Sequence, residues 1–279
     1  MEQPLIIVDA TRGDKGYWKE VWRYRGLFYY LAWRDVLVRY KQTFIGVAWS
    51  VLRPLLYIAA FLLFSFITGS KGGAVPQPLF IAAGVVAWQL FATAFAESAG
   101  SVVGNANLLT KVYFPRIIVP ASTLIVSLID FAIALVLLII FLFGFGYLPS
   151  GNIVFFPLFL LLALITAAGS GFLIAALNVK YRDFRYIVPF IVQIGVFVSP
   201  VGFDSNFIYA HPKVPEFLKT LYSLNPMVGV IDGFRWCLFG DDVVVHWDML
   251  AISAGFSILL LIFGTWYFRR VESTFADIV

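Results

Sequence analysis

Six long apolar segments dominate the pattern of hydrophobic and polar positions along the chain. A helix needs about 20 apolar residues to cross the hydrocarbon layer of a bilayer, because each residue adds about 1.5 Å. The connections between the six segments are more polar, and several contain Gly and Pro. The pattern predicts an all-α integral membrane protein with spans near residues 44–67, 79–98, 117–143, 153–177, 186–203 and 249–268.

Two ionisable side chains interrupt this apolar pattern. Arg53 precedes Pro54 in the first predicted span, and Asp130 lies near the middle of the third. Charges inside a membrane are costly and normally face a bundle interior or a water-filled path. Arg53 either reaches back to the headgroups or borders such a path. Asp130 has no second intramembrane acid or histidine beside it, since Glu97 lies at the end of span two, so a hydrogen-bonded structural acid is favoured over a proton relay.

The connection between spans five and six is long and contains two short helix-like pieces. Pro215 and Pro226 stand just before these pieces, and a proline in the first turn of a helix loses no hydrogen bond. The second piece is too short to cross a membrane and too apolar to lie free in water. We expect both pieces to be short helices that lie in the interface or dip back into protein.

A segment rich in aromatic and basic residues, 17–42, precedes the first span. Rings of Trp and Tyr favour the headgroup layer, as cations do, which predicts an interfacial helix. Arg34 and Lys41 are seven residues apart and share a helix face, whereas Asp35 and Arg39 are four apart and can pair. A surface anchor that holds anionic lipid and a phosphate-binding site both fit this composition.

Composition and charge agree with a membrane protein whose two termini lie in the cytoplasm. The 279 residues are 61% hydrophobic and 13% charged, with a mean hydropathy of +0.89, whereas a soluble domain carries roughly 25% charged residues. Cytoplasmic loops hold the excess of Lys and Arg, and only four of the twenty cations fall outside in this orientation. The net charge of +4 is explained by the inner membrane surface and needs no nucleic acid.

Signatures of enzyme chemistry are absent from the sequence. It contains no GxxxxGK[ST], GxSxG, HExxH or CxxC pattern, so no P-loop, nucleophile elbow or metal motif is present. Cys237 is the single cysteine, and His211 and His246 are the two histidines, which makes a disulfide within the chain or a zinc or iron site unexpected. We expect no enzymatic activity and no cofactor in this chain.

The order of these segments strongly resembles one family over nearly the whole chain. The motifs are WRDVLVRYKQTFIGVAW before the first span, LLTKVYFPR and LNVKYRDFRYIVPF in the inner loops, LNPMVGVIDGFRW in the long outer connection, and FRRVESTFADIV at the basic end. Together they resemble the ABC-2 type permease subunits of bacterial polysaccharide exporters, the O-antigen, capsule and teichoic acid group. The extended N-terminal helix makes the chain most similar to the O-antigen type.

The resemblance implies an assembly in the bacterial inner membrane. Two copies of the chain would enclose one channel, with two copies of a separate cytoplasmic ABC ATPase that holds ATP and Mg. Residues 1–43 would form a cytoplasmic segment with the interface helix, 44–268 the transmembrane domain, and 269–279 a cytoplasmic tail. ATP would drive export of a lipid-linked polysaccharide, an O-antigen on undecaprenyl pyrophosphate.

The same resemblance implies four groups of site residues. The substrate entrance, where Arg suits phosphate oxygens, would comprise Arg34, Arg39, Lys41, Ile45, Gly46 and Arg53, with Ile45 in place of the usual Leu. The loop that couples to the ATPase would comprise Asn107, Leu108, Lys111, Tyr113, Phe114, Pro115 and Arg116. A second cytoplasmic loop contributes Lys180, Arg182, Asp183 and Arg185, and a periplasmic gate contributes Asn225, Pro226, Arg235 and Trp236.

Two other functions compete with polysaccharide export. An ABC-2 exporter of a smaller cargo, such as a lipid, a drug or a teichoic acid precursor, would share the architecture. A membrane enzyme such as a sugar transferase would need acids or histidines that converge at one membrane face, and the inner loops offer Asp183 with little beside it. A proton-coupled flippase would need more than Asp130.

Overall fold

The computed structural model describes residues 16–41, 44–68, 73–181 and 183–275, with the backbone alone at 44–47, 110 and 274. These ranges contain no strand, which confirms the all-α prediction. The α-helices in them are α1 (Tyr17–Arg23), α2 (Arg25–Tyr40), α3 (Phe44–Thr68), α4 (Gln77–Gly104), α5 (Ala106–Lys111), α6 (Ile118–Gly144), α7 (Phe156–Lys180), α8 (Phe184–Val198), α9 (Asn206–Tyr209), α10 (Glu216–Ser223), α11 (Pro226–Phe239) and α12 (Trp247–Val271).

Five helical stretches in the described residues are long and apolar enough to cross a membrane: Ala48–Thr68, Gln77–Gly104, Ile118–Gly144, Gly151–Lys180 and Trp247–Val271. The predicted fifth span, residues 186–203, corresponds to α8, which has only 15 residues and a length of about 22 Å. The prediction that this helix continues to Phe203 is wrong. A turn begins at Ser199, and the carbonyl oxygens of Val201 and Phe203 accept hydrogen bonds from a side chain of α11 instead.

α4 is the central helix of the bundle and contacts α3, α6, α7, α8 and α11. Its buried residues lie on all sides of the helix and run from Leu79 to Val102. A helix that is apolar all round is typical of a buried position. α4 also continues to Gly104, beyond the predicted end at residue 98, and Asn178 of α7 donates a hydrogen bond to the carbonyl of Ala99 in this extension.

α7 and α12 cross at very short range. A Cβ atom added to Gly264 would lie 2.1 Å from the carbonyl oxygen of Gly169, so no larger residue fits there. Without a hydrophobic driving force between helices in lipid, close packing of small residues is a main source of helix association. The two glycines therefore bring the last predicted span against the fourth.

The bundle has two distinct ends. We call the end that contains α1 and the C-terminus of α12 the terminal end. There α1, the segment after α5 and the end of α12 meet, and four buried aromatic side chains pack together: Phe114, Phe172, Phe268 and Phe275. At the far end, α9, α10 and α11 cover the spans. α11 is buried along its length, as expected for a helix that dips back into protein, and its N-terminus is capped by Asn225, which accepts from the N–H of Met227 at 3.1 Å.

Candidate functional site

A charged cluster joins four helices in the half of the bundle nearer the terminal end. It consists of Arg39 and Tyr40 at the end of α2, Ser50 of α3, Glu97 of α4 and Asp130 of α6. Nη1 of Arg39 donates to Oδ2 of Asp130 at 2.6 Å, and its Nη2 donates to Glu97. Tyr40 and Ser50 donate to the other oxygen of Asp130. Asp130 is hydrogen-bonded, as expected. The expectation that no second acid lies beside it is wrong, because Glu97 lies seven residues before the end of α4 and shares Arg39 with Asp130.

The position of Asp130 shows how deep α2 reaches. Asp130 follows Ile118, the first residue of α6, by twelve residues, about 18 Å along the helix axis. Arg39 contacts Asp130 directly, and α2 packs along α6. The C-terminal end of α2 therefore packs against the spans, where Arg39 pairs with Glu97 of α4 and Asp130 of α6. α2 is consequently not confined to the membrane surface.

Arg34 is also paired. It donates to Asp35 at 2.7 Å and to the side-chain oxygen of Asn105 at 2.8 Å. The sequence suggested that Asp35 pairs with Arg39 four residues away, but Asp35 accepts from its neighbour instead. Two of the cations predicted to read phosphate, Arg34 and Arg39, thus have carboxylate partners from the protein.

The tyrosine of the charged cluster remains a proton donor. Burial and the hydrogen bond to Asp130 raise the pKa of Tyr40 to about 12. Tyr40 is consequently neutral at any physiological pH, and its hydroxyl supplies a hydrogen bond without adding charge. Asp130 is therefore held by one cation, Arg39, and by the hydroxyl groups of Tyr40 and Ser50.

A cavity of about 180 Å³ lies beside the charged cluster, between α3, α4 and α6. Arg53 borders it together with Asp130, which fits the interpretation that Arg53 lines a path. Gln89 also borders it, and its buried Nε2 has no hydrogen-bond partner within the described part of the chain. The cavity is therefore bordered by two guanidinium groups, those of Arg39 and Arg53, by the carboxylate of Asp130, and by a residue with a buried amide donor.

A second and larger cavity, about 520 Å³, opens between α2, α4 and α6. Arg39 borders both cavities, so the charged cluster stands between them. Of the other predicted entrance residues, Lys41 is exposed at the end of α2, and Ile45 and Gly46 form part of the first turn of α3. The side chain of Ile45 lies outside the described part of the structure.

The predicted coupling loop divides into exposed and inward-facing residues. Tyr113 is 58% exposed and Lys111 and Asn107 are exposed beside it, whereas Phe114 is 3% exposed. Leu108, Pro115 and Arg116 are partly or fully buried, and the Arg116 guanidinium donates to the carbonyl of Glu272 after α12. The exposed surface of the loop is thus limited to α5 and the two residues after it.

The second predicted loop is exposed. The ammonium of Lys180 lies 5.2 Å from the centre of the Tyr181 ring, and Asp183 and Arg185 face solvent. Arg182 lies outside the described residues. The described residues of this loop therefore form an exposed surface and not an enclosed site.

Arg235 differs from the other predicted gate residues because it is completely buried. Its guanidinium donates to the carbonyl oxygens of Phe80, Val201 and Phe203 at 2.9 to 3.2 Å and stacks on the Phe80 ring at 3.6 Å. Gly84 leaves room for it, since a Cβ there would lie 2.7 Å from Nη2 of Arg235. Arg235 therefore holds the turn after α8 against α4 and lines no opening.

The other predicted gate residues organise α11. Asn225 and Pro226 form its first turn, and Nδ2 of Asn225 donates to Ser199 at 2.9 Å. Trp236 packs edge-on against Trp247 at the start of α12, with ring centres 5.0 Å apart. They join α11 to the turn after α8 and to α12.

Sequence reasoning missed Asp232, the acid one turn before Arg235. It is only 6% exposed, and burial raises its pKa to about 7, against the opposing effects of Ser205 and Arg235. Its spacing of three residues from Arg235 within LNPMVGVIDGFRW was the available signal. An acid at this spacing on a buried helix shares the environment of the arginine.

Helices of spanning length, ionised groups between them and polar cavities beside those groups define a multi-pass membrane protein. The family model described as ABC-2 type transporter matches residues 26–239. The chain therefore belongs to the ABC-2 type transporter family. The resemblance inferred from the motifs is confirmed.

The similar proteins are named as polysaccharide export proteins. The O-antigen export system permease protein RfbA of Myxococcus xanthus is 27% identical over 93% of this chain and 97% of its own length. A protein of the same name from Klebsiella pneumoniae is 27% identical over 88% and 92%. The capsule polysaccharide export inner-membrane protein CtrC of Neisseria meningitidis serogroup B is 23% identical over 89% and 92%. The chain is an ABC-2 permease homologous to polysaccharide export permeases.

Proposed function

We propose that this chain is the channel-forming subunit of an ATP-driven exporter that moves a lipid-linked O-antigen polysaccharide across the bacterial inner membrane. The observation that carries the proposal is the similarity to an O-antigen export permease over 93% of this chain. The chain would act without enzymatic activity of its own. ATP and Mg would bind to two copies of a separate ABC ATPase beside a homodimer of this chain.

The topology that fits this function has six crossings with both termini in the cytoplasm. α8 would be the fifth crossing, although its 15 residues span only about 22 Å. Local bilayer thinning and flanking residues can accommodate such a short helix. The terminal end of the bundle would then face the cytoplasm and the far end, with α9 to α11, the periplasm.

Arg53 is the predicted entrance cation with the best position for a phosphate of the carrier lipid. It borders the 180 Å³ cavity, where Gln89 offers a second donor. Arg34 and Arg39 are held by Asp35, Glu97 and Asp130. We assign to Arg53 the contact with the pyrophosphate group and to Arg39 the support of the surrounding helices.

Arg53→Gln tests this assignment. A hydrogen bond to a charged group contributes about 1.5–3 kcal/mol, so polymer at the cell surface is expected to fall roughly tenfold while the amount of permease in the membrane stays constant. Arg23→Gln, which removes an exposed cation from the end of α1 and from none of the predicted site groups, is the matched control. Normal surface polymer in Arg53→Gln cells would contradict the phosphate contact.

The ATPase is proposed to bind the exposed part of the coupling loop, Asn107, Lys111 and Tyr113. Lys111→Glu reverses a charge on this surface, and we expect less ATPase to co-purify with the permease. Lys213→Glu, on the far end, makes the same change away from the proposed contact. Undiminished co-purification of the ATPase with Lys111→Glu would place the contact elsewhere.

The alternative, an ABC-2 exporter of a smaller cargo, is separated by the substrate that stimulates the complex. The purified permease with its ATPase should hydrolyse ATP faster in the presence of a lipid-linked glycan, and deletion of the chain should remove polymer from the cell surface. Stimulation by a drug or a phospholipid instead, with surface polymer intact, would favour the smaller cargo.

A further inference from the structure

Three segments distant in sequence meet at one carboxylate at the terminal end of the bundle. Oε1 of Glu272 accepts from the backbone N–H of Arg116, and its Oε2 accepts from the hydroxyl of Tyr17 at 2.7 Å. The carbonyl oxygen of Glu272 accepts from the Arg116 guanidinium. The residues belong to α1, to the end of the coupling loop, and to the short helical turn after α12.

The contacts around Glu272 lie in a closely packed environment. The guanidinium of Arg269 lies 4.3 Å from the centre of the Tyr17 ring, and that of Arg116 lies 5.9 Å from the centre of the Phe275 ring. Burial raises the pKa of Glu272, although the hydrogen bonds from Tyr17 and Arg116 oppose the rise. Phe275 is itself fully buried, so the turn after α12 is fixed to the bundle.

Each oxygen of the Glu272 carboxylate serves a different segment. A carboxamide could keep both contacts, because its oxygen can accept from the N–H of Arg116 and its NH₂ group can donate to the hydroxyl oxygen of Tyr17. A methionine side chain has a similar length but offers neither contact. Glu272→Met therefore removes the side-chain link between the segments without creating a large cavity.

We propose that Glu272 is a positioning residue that joins the end of the coupling loop to α1 and to the end of α12, so that the three segments move as one body. The inference rests on the proposed function, in which a separate ATPase acts on α5. A displacement of α5 then reaches the last span through Arg116 and Glu272, and reaches α2 through α1. Without the link, the same displacement moves the loop alone.

The test compares export with ATP hydrolysis in the assembled complex. Surface polymer is measured in cells that express Glu272→Met, and ATP hydrolysis is measured on the purified permease–ATPase complex. We expect assembly and hydrolysis close to those of the unaltered chain, with export per ATP hydrolysed lowered roughly threefold or more, the size of typical coupling energies along such networks. Glu216→Met, which removes an exposed acid at the far end, is the control, and Glu272→Gln, which can keep both contacts, should retain most of the ratio.

A merely structural role gives a different result. Loss of stability lowers the amount of complex, and hydrolysis and export then fall together at a constant ratio. An unchanged ratio in Glu272→Met overturns the inference. If that variant does not assemble, Tyr17→Phe is tested instead, because it removes only the hydrogen bond between Glu272 and α1. An unchanged ratio of export to ATP hydrolysis in Tyr17→Phe then overturns the inference. Failure of the unaltered chain to retain an ATPase would overturn the proposed function instead. Failure of this inference and failure of the proposed function are therefore distinguishable.

Discussion

Arg39 and Arg235 both have hydrogen-bond partners within the protein, but the Arg39 side chain remains 30% exposed whereas Arg235 is completely buried, and their partners differ in kind. Arg39 bridges two carboxylates, Glu97 and Asp130, and borders two cavities. Arg235 donates to three backbone carbonyls and has no exposed surface. Backbone carbonyls are fixed by the chain, whereas carboxylates rotate and accept protons. The contacts of Arg235 therefore favour a single arrangement at the far end. The side chains of the charged cluster, in contrast, have adjoining cavities and more than one possible partner, so they have space to rearrange.

Substitution of Arg235 should have the largest effect on stability. Arg235→Ala leaves the carbonyl groups of Val201 and Phe203 without their donor and empties the space beside Gly84. We expect a loss of about 3–5 kcal/mol in the free energy of unfolding, measured by denaturation of the purified protein in detergent. Glu216→Ala, which removes a 79% exposed partner of Lys219, should change it by less than about 1 kcal/mol. Equal losses of stability in the two variants would mean that Arg235 contributes no more to the free energy of unfolding than an exposed side chain.

The pairing of Arg39 with Asp130 should have an intermediate effect. Arg39→Gln leaves Asp130 with hydroxyl donors only, and we expect a loss of about 1–3 kcal/mol in the free energy of unfolding. Asp130→Asn in the same chain should recover part of that loss, because the uncompensated charge is gone. A double-mutant cycle in detergent measures the interaction, expected between about 0.5 and 3 kcal/mol. Strict additivity of the two changes would mean that the contact adds no stability.

The pH dependence of the far end should be the smallest effect. The pKa of Asp232 is about 7 in the folded chain and 3.8 in the reference state, so its ionised form is less favourable when folded. Its contribution is complete at low pH and is lost as the pH rises toward and through 7. Between pH 6 and 8 we expect the free energy of unfolding to fall by about 1 kcal/mol from this group.

Asp232→Asn is the control for that slope, because it cannot ionise. Arg235 on the same helix, Asp204 before α9 and Tyr222 on α10 also face this environment and remain in both chains. The difference between the two pH profiles therefore reports Asp232. Parallel profiles of the unaltered and Asp232→Asn chains would show that its protonation is not linked to folding.

Much of the fold was predictable because the length of an apolar segment is a local property. Five predicted spans correspond to helices of spanning length, and Pro226 marks the start of α11 as expected. α8 was predicted too long although Pro200 was a local signal for its end, because a residue before a proline disfavours the helical conformation and Ser199 is extended. Arg235 then holds Val201 and Phe203 in the turn that follows. The division into a cytoplasmic segment, a transmembrane domain and a tail, and the roles of the site residues, stay predictions.

The sequence by itself determined that this is an all-helical membrane protein, and its motifs placed it in a transporter family that the full-length comparison confirmed. Only the tertiary structure decided the partner of each charged side chain: Arg39 with Glu97 and Asp130, Arg116 with Glu272, and Arg235 with backbone carbonyls. The physical reason is that apolar length and helix signals act over neighbouring residues. Pairing in a bundle depends on which helices cross and at what depth, and such partners are separated by up to 255 residues, as Tyr17 and Glu272 are.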